Sequence, residues 1–314
     1  MRIFRTWLGG AWRVLRAPLL LLVLYVLTLA VAAPLGAWML RSLPAPEILD
    51  VVDANDPPAP DVDWLDEVAL HAPGLARFLT PAVIGVAAPL GNLDAVLDGS
   101  RPPVPLLAPI AVFFLCWTAV WGGVITRLAN GSRIGTRAAI AALRQSIVPL
   151  LALGCVGGIA YLVLYLTLHA AMFGPLYDWL TAGALERTAF GWRLSLAAIF
   201  GGVLLTLGQV LDFAKVAIIL GRATVQQGIT ESVRLVRQHW VTVAVLLLFN
   251  GVGFAVLLAG YAASEFIPGG SVPSLWRLVA GGQALILGRL LLRLVLAGSQ
   301  VDIYLQVRAD RATT

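Results

Sequence analysis

The chain has 314 residues, 59% of them hydrophobic and 12% charged, with a formal net charge of +5. Its mean hydropathy of +0.87 excludes an ordinary soluble domain. The basic balance is not a nucleic-acid signal, because the arginines cluster at the ends of apolar runs rather than on one soluble face. Lys215 is the single lysine, and that bias, with abundant Ala, Leu and Gly, suits a bacterial genome rich in G and C. Cys116 and Cys155 both sit in apolar runs and read as small hydrophobes.

Residues 1–16 read as a basic amphipathic helix: Phe4, Leu8, Ala11 and Leu15 make one stripe, and Arg2, Arg5, Arg13 and Arg16 lie off it. Residues 17–40 are the first apolar span. Small residues from Ala30 to Ala33 raise a cleaved signal peptide as the competing reading, but the run is too long for a typical signal core, which favours a retained span. Residues 41–103 form the only sizeable non-spanning segment. Residues 44–60 are rich in Pro and Asp and read as an extended linker, and residues 61–71 as a short acidic helix. Residues 78–93 are apolar but too short to span, which predicts either a re-entrant segment or a small helix packed on the bundle.

Span two is predicted at 104–126 and a basic amphipathic helix at 127–145. Span three follows at 147–172, and an outer loop at 175–187. Span four runs from 192 to 211 and an amphipathic helix from 224 to 240. Span five is 241–261, with a Gly- and Pro-marked turn at 264–274, and span six is 278–298. The chain therefore divides into residues 1–40, the segment 41–103, and a five-span bundle at 104–314. Sliding it by about 93 positions lays Gly135 on Gly228, Arg144 on Arg237, Gln145 on Gln238 and Ile147 on Trp240. Residues 122–168 and 215–261 thus read as two copies of one unit, the alternative being two basic loops that coincide. In the second copy Ile229, Val233, Val236 and Trp240 line one helical face.

Six spans put both termini on one side. Basic residues there exceed those on the other side by roughly two to one, which predicts cytoplasmic termini in a bacterial inner membrane and an extracytoplasmic 41–103. The fold class is all-α: a polytopic membrane protein with six transmembrane helices and amphipathic cytoplasmic interfacial helices.

Three stretches carry a resemblance: Ala11-Trp12-Arg13-Val14-Leu15-Arg16, Ala142-Leu143-Arg144-Gln145, and Ser232-Val233-Arg234-Leu235-Val236-Arg237-Gln238-His239-Trp240. The pattern is similar to six-span bacterial membrane proteins of uncharacterised role, and to the membrane domain fused to some glycerophosphodiester phosphodiesterases. In that group a basic, Trp-containing amphipathic helix repeatedly precedes a span. The similarity covers the bundle and not 41–103. With no phosphodiesterase domain attached, it implies no hydrolase activity and supplies no catalytic residues.

No catalytic or metal-binding motif emerges: H-E-x-x-H, G-x-S-x-G and a Walker loop are all missing, and His71, His169 and His239 fall in three separate regions. Tyr177-Asp178 matches half of an intramembrane aspartyl-protease signature whose other half is missing. Gly154 and Gly158 make a G-x-x-x-G that permits close helix approach, although glycine is frequent in membrane helices anyway. The polar residues within the spans say more. Arg289 and Arg293 share one face of span six, and Arg289 lies about 16 Å along it, near the bilayer centre. A central arginine costs at least about 3 kcal/mol on insertion scales, so it should face protein, water or a lipid phosphate. With Asp212, Asp302, Asn250, Gln209 and Gln283 these arginines read either as interhelical glue or as a site for an anionic lipid or solute.

The depths predict an Arg293–Asp212 contact, direct or through one water, with Asn250 or Gln209 serving Arg289, on a face turned toward spans four and five. A non-enzymatic accessory or scaffold protein is the first functional expectation. Membrane lipids and other membrane proteins are its expected partners, with no nucleic acid and no cofactor. The alternative is a transporter or lipid-translocating protein. A transporter calls for a polar cavity at the arginines formed by broken helices, and a scaffold for arginines sealed by protein.

Overall fold

The computed structural model describes residues 2–41, 87–99, 107–130, 136–265 and 272–313. Eleven-residue and longer helices dominate it: α1 (Arg2–Leu15), α2 (Pro18–Arg41), α3 (Ala87–Leu97), α4 (Leu107–Asn130), α5 (Thr136–Leu164), α7 (Glu186–Gly221), α8 (Val225–Gln238), α9 (Trp240–Glu265) and α10 (Val272–Thr313). A five-residue α6 (Tyr177–Thr181) continues α5 through two π-helical turns. No strand occurs among the described residues, and six helices there are long and apolar enough to cross a membrane. The linker 44–60, the acidic helix 61–71 and residues 78–86 of the apolar segment lie outside the described residues, while Ala87–Leu97 is helical.

The longest helix, α10, is the hub. It touches α1, α2, α4, α7 and α9, while α5 packs between α4 and α7. The main core gathers where these helices meet α1 and α8. Val14, Leu24, Trp121, Leu128, Phe213, Leu235, Leu246, Leu294 and Val301 are all buried there. A separate cluster of Met172, Leu196 and Phe200 closes the opposite end. Between the two, large apolar side chains such as Leu22, Val26, Leu162, Leu194, Val252 and Val256 stay exposed, as helices facing hydrocarbon require.

The two amphipathic helices α1 and α8 each divide into three sectors. On α1 the buried Gly10 and Val14, with Trp7 and Ala11, face the bundle. Phe4, Leu8, Trp12 and Leu15 are exposed on the neighbouring apolar sector, and Arg5 and Arg16 on the polar one. On α8 the bundle face is Gly228, Ser232, Leu235 and Val236, with Val233 on the outer apolar side and Arg234 and Arg237 beyond it. The expected stripe of Ile229, Val233, Val236 and Trp240 therefore splits: Val236 packs inward, and Val233 and Trp240 face out. A capping box starts α8, Thr224 Oγ1 accepting from the Gln227 amide and Gln227 Oε1 from the Thr224 amide.

The two expected copies differ in shape. In the second, the chain turns at His239 between α8 and α9. In the first there is no separate interfacial helix at 136–145; those residues are the opening turns of α5, which runs unbroken past Pro149. Gly122 explains the difference. The Ser146 hydroxyl, held by the Ala142 carbonyl at 2.7 Å, fills the space a Gly122 side chain would take, so α4 and α5 lie close along their length. The corresponding positions in the second copy are Lys215 and His239, too large for that approach.

The expected outer loop 175–187 is also shorter than read. The chain kinks at Gly174, ahead of Pro175, where the backbone leaves helical geometry (φ −103°, ψ −107°), and a short helix resumes to Thr181.

The α1–α10 seam depends on two glycines. A Cβ on Gly10 would lie 2.5 Å from Ser299 Oγ and 2.6 Å from the Val295 carbonyl oxygen, and Gly298 faces Gly10 directly. Gly10→Leu should therefore destabilise the protein by about 1–3 kcal/mol through overpacking. Thermal unfolding in detergent checks this, with Gly36→Leu, where nothing lies within 4 Å, as the unaffected control.

Candidate intramembrane site

A cavity of about 550 Å³ opens between α4, α5 and α7, reaching Arg293 on α10. Its walls are mostly apolar, including Phe114, Trp117, Trp121, Leu150 and Leu153, and one side is a strip of Gly154, Gly157, Gly158 and Gly208. All its charge sits on Asp212, Lys215 and Arg293.

Helical spacing assembles this end. Trp117 and Trp121 are one turn apart on α4 and present adjacent rings, 6.0 Å between centroids. Arg293 lays its guanidinium over both, 4.8 Å from the Trp117 centroid and 5.7 Å from that of Trp121. Such contacts supply about 2 kcal/mol when desolvated, so the aromatic faces replace part of what a carboxylate would give. Arg293 is surrounded by helices yet exposed, because it faces the cavity.

Among the described residues Arg293 and Asp212 make no direct ion pair, which is one of the two forms of contact expected. Asp212 accepts from Lys215 Nζ at 2.6 Å, three residues away on the same helix, and Lys215 also lies 5.8 Å from the Trp121 ring. The local partner wins because the helix already holds it in place, whereas an α10 partner must be brought there by packing. Asp212 and Arg293 nevertheless line the same cavity, and a second, smaller void behind them is lined by both together with Gln300.

The other sequence candidates go elsewhere. Gln209 accepts from Gln300 Nε2 at 2.9 Å, both side chains being buried, so it does not serve Arg289. Asn250 Oδ1 is buried with no hydrogen-bond partner among the described residues, so it does not serve Arg289 either. Arg289 is exposed and makes no hydrogen bond or ion pair with a described residue. Asp302 pairs with Arg13, which also donates to the Leu128 carbonyl at 2.8 Å, tying α1 to α10 and α4. Gln283 accepts from Tyr25 Oη at 2.7 Å.

The Arg293 face turns toward spans two and four, not four and five. Span five packs on a different side of α10, through Gly253 against Leu292 and Gly288 against Leu257. The two glycines of the G-x-x-x-G differ. Gly154 meets the Phe114 ring, and a Cβ on Gly158 would meet nothing within 4 Å, so Gly158 borders open space rather than a helix.

Sequence reasoning passed over the Trp117/Trp121 pair and Lys215. Both carried a signal: i, i+4 aromatics on one face, and a sole lysine three residues from an intramembrane aspartate.

Fold and cavity together define an all-helical integral membrane protein with a charged cavity inside its bundle. Comparison of the chain with protein-family models, with curated proteins and with solved structures gives no match.

Asp212→Ala should leave two cations beside the cavity with no anion between them. A loss of about 1–3 kcal/mol is expected, below the fully buried limit because the Asp212 and Lys215 side chains are 32% and 24% exposed. The double variant Asp212→Ala/Lys215→Ala should recover part of it, as a double-mutant cycle on thermal unfolding would show.

Proposed function

We propose that this is a non-enzymatic, lipid-binding accessory protein of the bacterial inner membrane. The observation that carries the reading is Arg293: it is not sealed by protein but faces an apolar cavity inside the bundle. A purely structural arginine would be expected to end on a carboxylate, yet the nearest one is engaged with Lys215. An apolar chamber with a cation at one end matches a lipid in both of its parts, the chain and the head. The transporter alternative is less well supported, because the walls of this cavity are unbroken helices rather than half-helices meeting at a site.

The basic end, where α1, α8 and the last turns of α10 meet, faces the cytoplasm in this reading. Arg5, Arg16, Arg222, Arg234, Arg237 and Arg308 are exposed there and would rest against anionic headgroups. Partner membrane proteins would dock on the same surface or on the lipid-exposed helices.

Two measurements test this. Reporter fusions at Thr314 and after Asp56 should report opposite sides of the membrane, and matching answers would overturn the orientation. Gentle extraction followed by native mass spectrometry should find lipid retained by the wild type. Gly158→Leu, whose Cβ would meet nothing within 4 Å and whose branch would extend into the cavity, should lose it. Equal retention by both would show that lipid binds elsewhere.

A further inference from the structure

We infer that the cavity takes a single-chain amphiphile whose compact head carries one negative charge, a long-chain carboxylate or an alkyl phosphate monoanion. This rests on the lipid-binding reading above and specifies the ligand class.

Charge comes first. Two cations and one anion face the cavity, leaving one positive charge in excess. A neutral head would leave that charge uncompensated in an apolar setting, and a cationic head would add to it. Hydrogen-bonding capacity points the same way. The guanidinium of Arg293 offers five donors, and its contacts among the described residues are with ring faces, which accept none of them in a conventional hydrogen bond. The one carboxylate, Asp212, already accepts from Lys215. This end is rich in donors and short of acceptors, and a carboxylate or phosphate head supplies acceptors without bringing donors of its own.

Shape argues for one chain. The volume of about 550 Å³ lies inside the range of roughly 300–1,000 Å³ typical of sites that enclose one small ligand. At Gly158 the space next to the backbone is empty, whereas Phe114 closes on Gly154 and Leu211 on Gly157, so the room beside α5 is narrow. Among the described residues, a second chain would have to cross from one helix seam to another. The next apolar groove, lined by Leu164, Ile199 and Val203, lies across the α5–α7 seam, where Gly157 meets Leu211 and Gly208 meets Tyr161.

Cys155 provides the readout, since it lines the cavity and is exposed. The full chain carrying Cys116→Ser is placed in nanodiscs of phosphatidylcholine, and alkylation of Cys155 by N-ethylmaleimide is timed with each probe added. Palmitate and hexadecyl phosphate should slow alkylation by about tenfold or more, the worth of one charge-assisted hydrogen bond, while hexadecanol and hexadecylamine should not. Protection by palmitate alone assigns a carboxylate, and by hexadecyl phosphate alone a phosphate. Arg293→Gln should abolish the discrimination. Asp212→Asn, which raises the excess to two positive charges, should instead strengthen protection by hexadecyl phosphate, a gain that misfolding cannot mimic. Equal protection by hexadecanol would overturn the anionic head and leave lipid binding standing. Equal protection by dipalmitoyl phosphatidic acid would overturn the single chain. Absence of protection by every probe would overturn the lipid-binding reading itself.

Discussion

An ionised group inside an apolar bundle has to be compensated within reach of its own side chain, and the arrangement of α4, α7 and α10 follows from that constraint. Three such groups sit together. Asp212 and Lys215 settle each other along one helix at 2.6 Å. Arg293 is left with two indole faces. An arginine within a span is costly, and a desolvated cation–π contact returns about 2 kcal/mol. The cavity leaves the rest of the guanidinium open to whatever water, ion or headgroup enters. The bulky α4 tryptophans and Gly158 on α5 belong to one solution: the first stack on the cation, and the second leaves room in the cavity.

The same constraint operates at the basic end with a different answer. Arg13 reaches inward to Asp302 and the Leu128 carbonyl, while Arg5 and Arg16 on the same helix point away from the protein. One helix thus spends one arginine on joining the first and last parts of the chain and others on the surroundings. Because α1 sits on α10 through Gly10 and Gly298, its apolar outer sector lies level with the start of α2, where Ala17 and Pro18 redirect the chain. The α8 helix repeats this plan on α7, with Gly228 against Ile218 and the Ala214 carbonyl. Glu231 there reaches Arg311 at 3.4 Å, binding α8 to the last turns of α10.

What was legible in the sequence and what was not divides along a physical line. Spans announce themselves because hydrocarbon demands long apolar runs, and α1 and α8 because a helix at an interface must sort its residues by angle. Partner choice between helices depends on their relative rotation, which hydropathy does not encode. Depth arithmetic therefore put Asp212 and Arg293 at one level, beside one cavity, but could not see that Lys215 holds the carboxylate or that α10 turns Arg293 toward Trp117. It likewise offered Gln209 and Asn250 to Arg289, although Gln209 bonds Gln300. The difference between Gly154 and Gly158 has the same origin: a missing side chain signals either contact or vacancy, and only the neighbouring helix decides which.

The helix α7 carries both functions of the bundle on different sides. Asp212 and Lys215 face the cavity, while Ala214 and Ile218 are packed beneath α8 and Leu153. A Cβ on Gly228 would lie 3.0 Å from Ile218 Cγ1, so α8 leaves no slack on that side. On α10, Gln300 fixes Gln209 one turn from Asp212. The charged end of the cavity is therefore held from two directions by buried contacts, and moving its carboxylate would require α8 and α10 to move with it. A chamber built this way is formed before any ligand arrives. If the cavity takes the ligand proposed above, selectivity would come from the charge and donors already in place, since the walls that carry them are packed against α8 and α10.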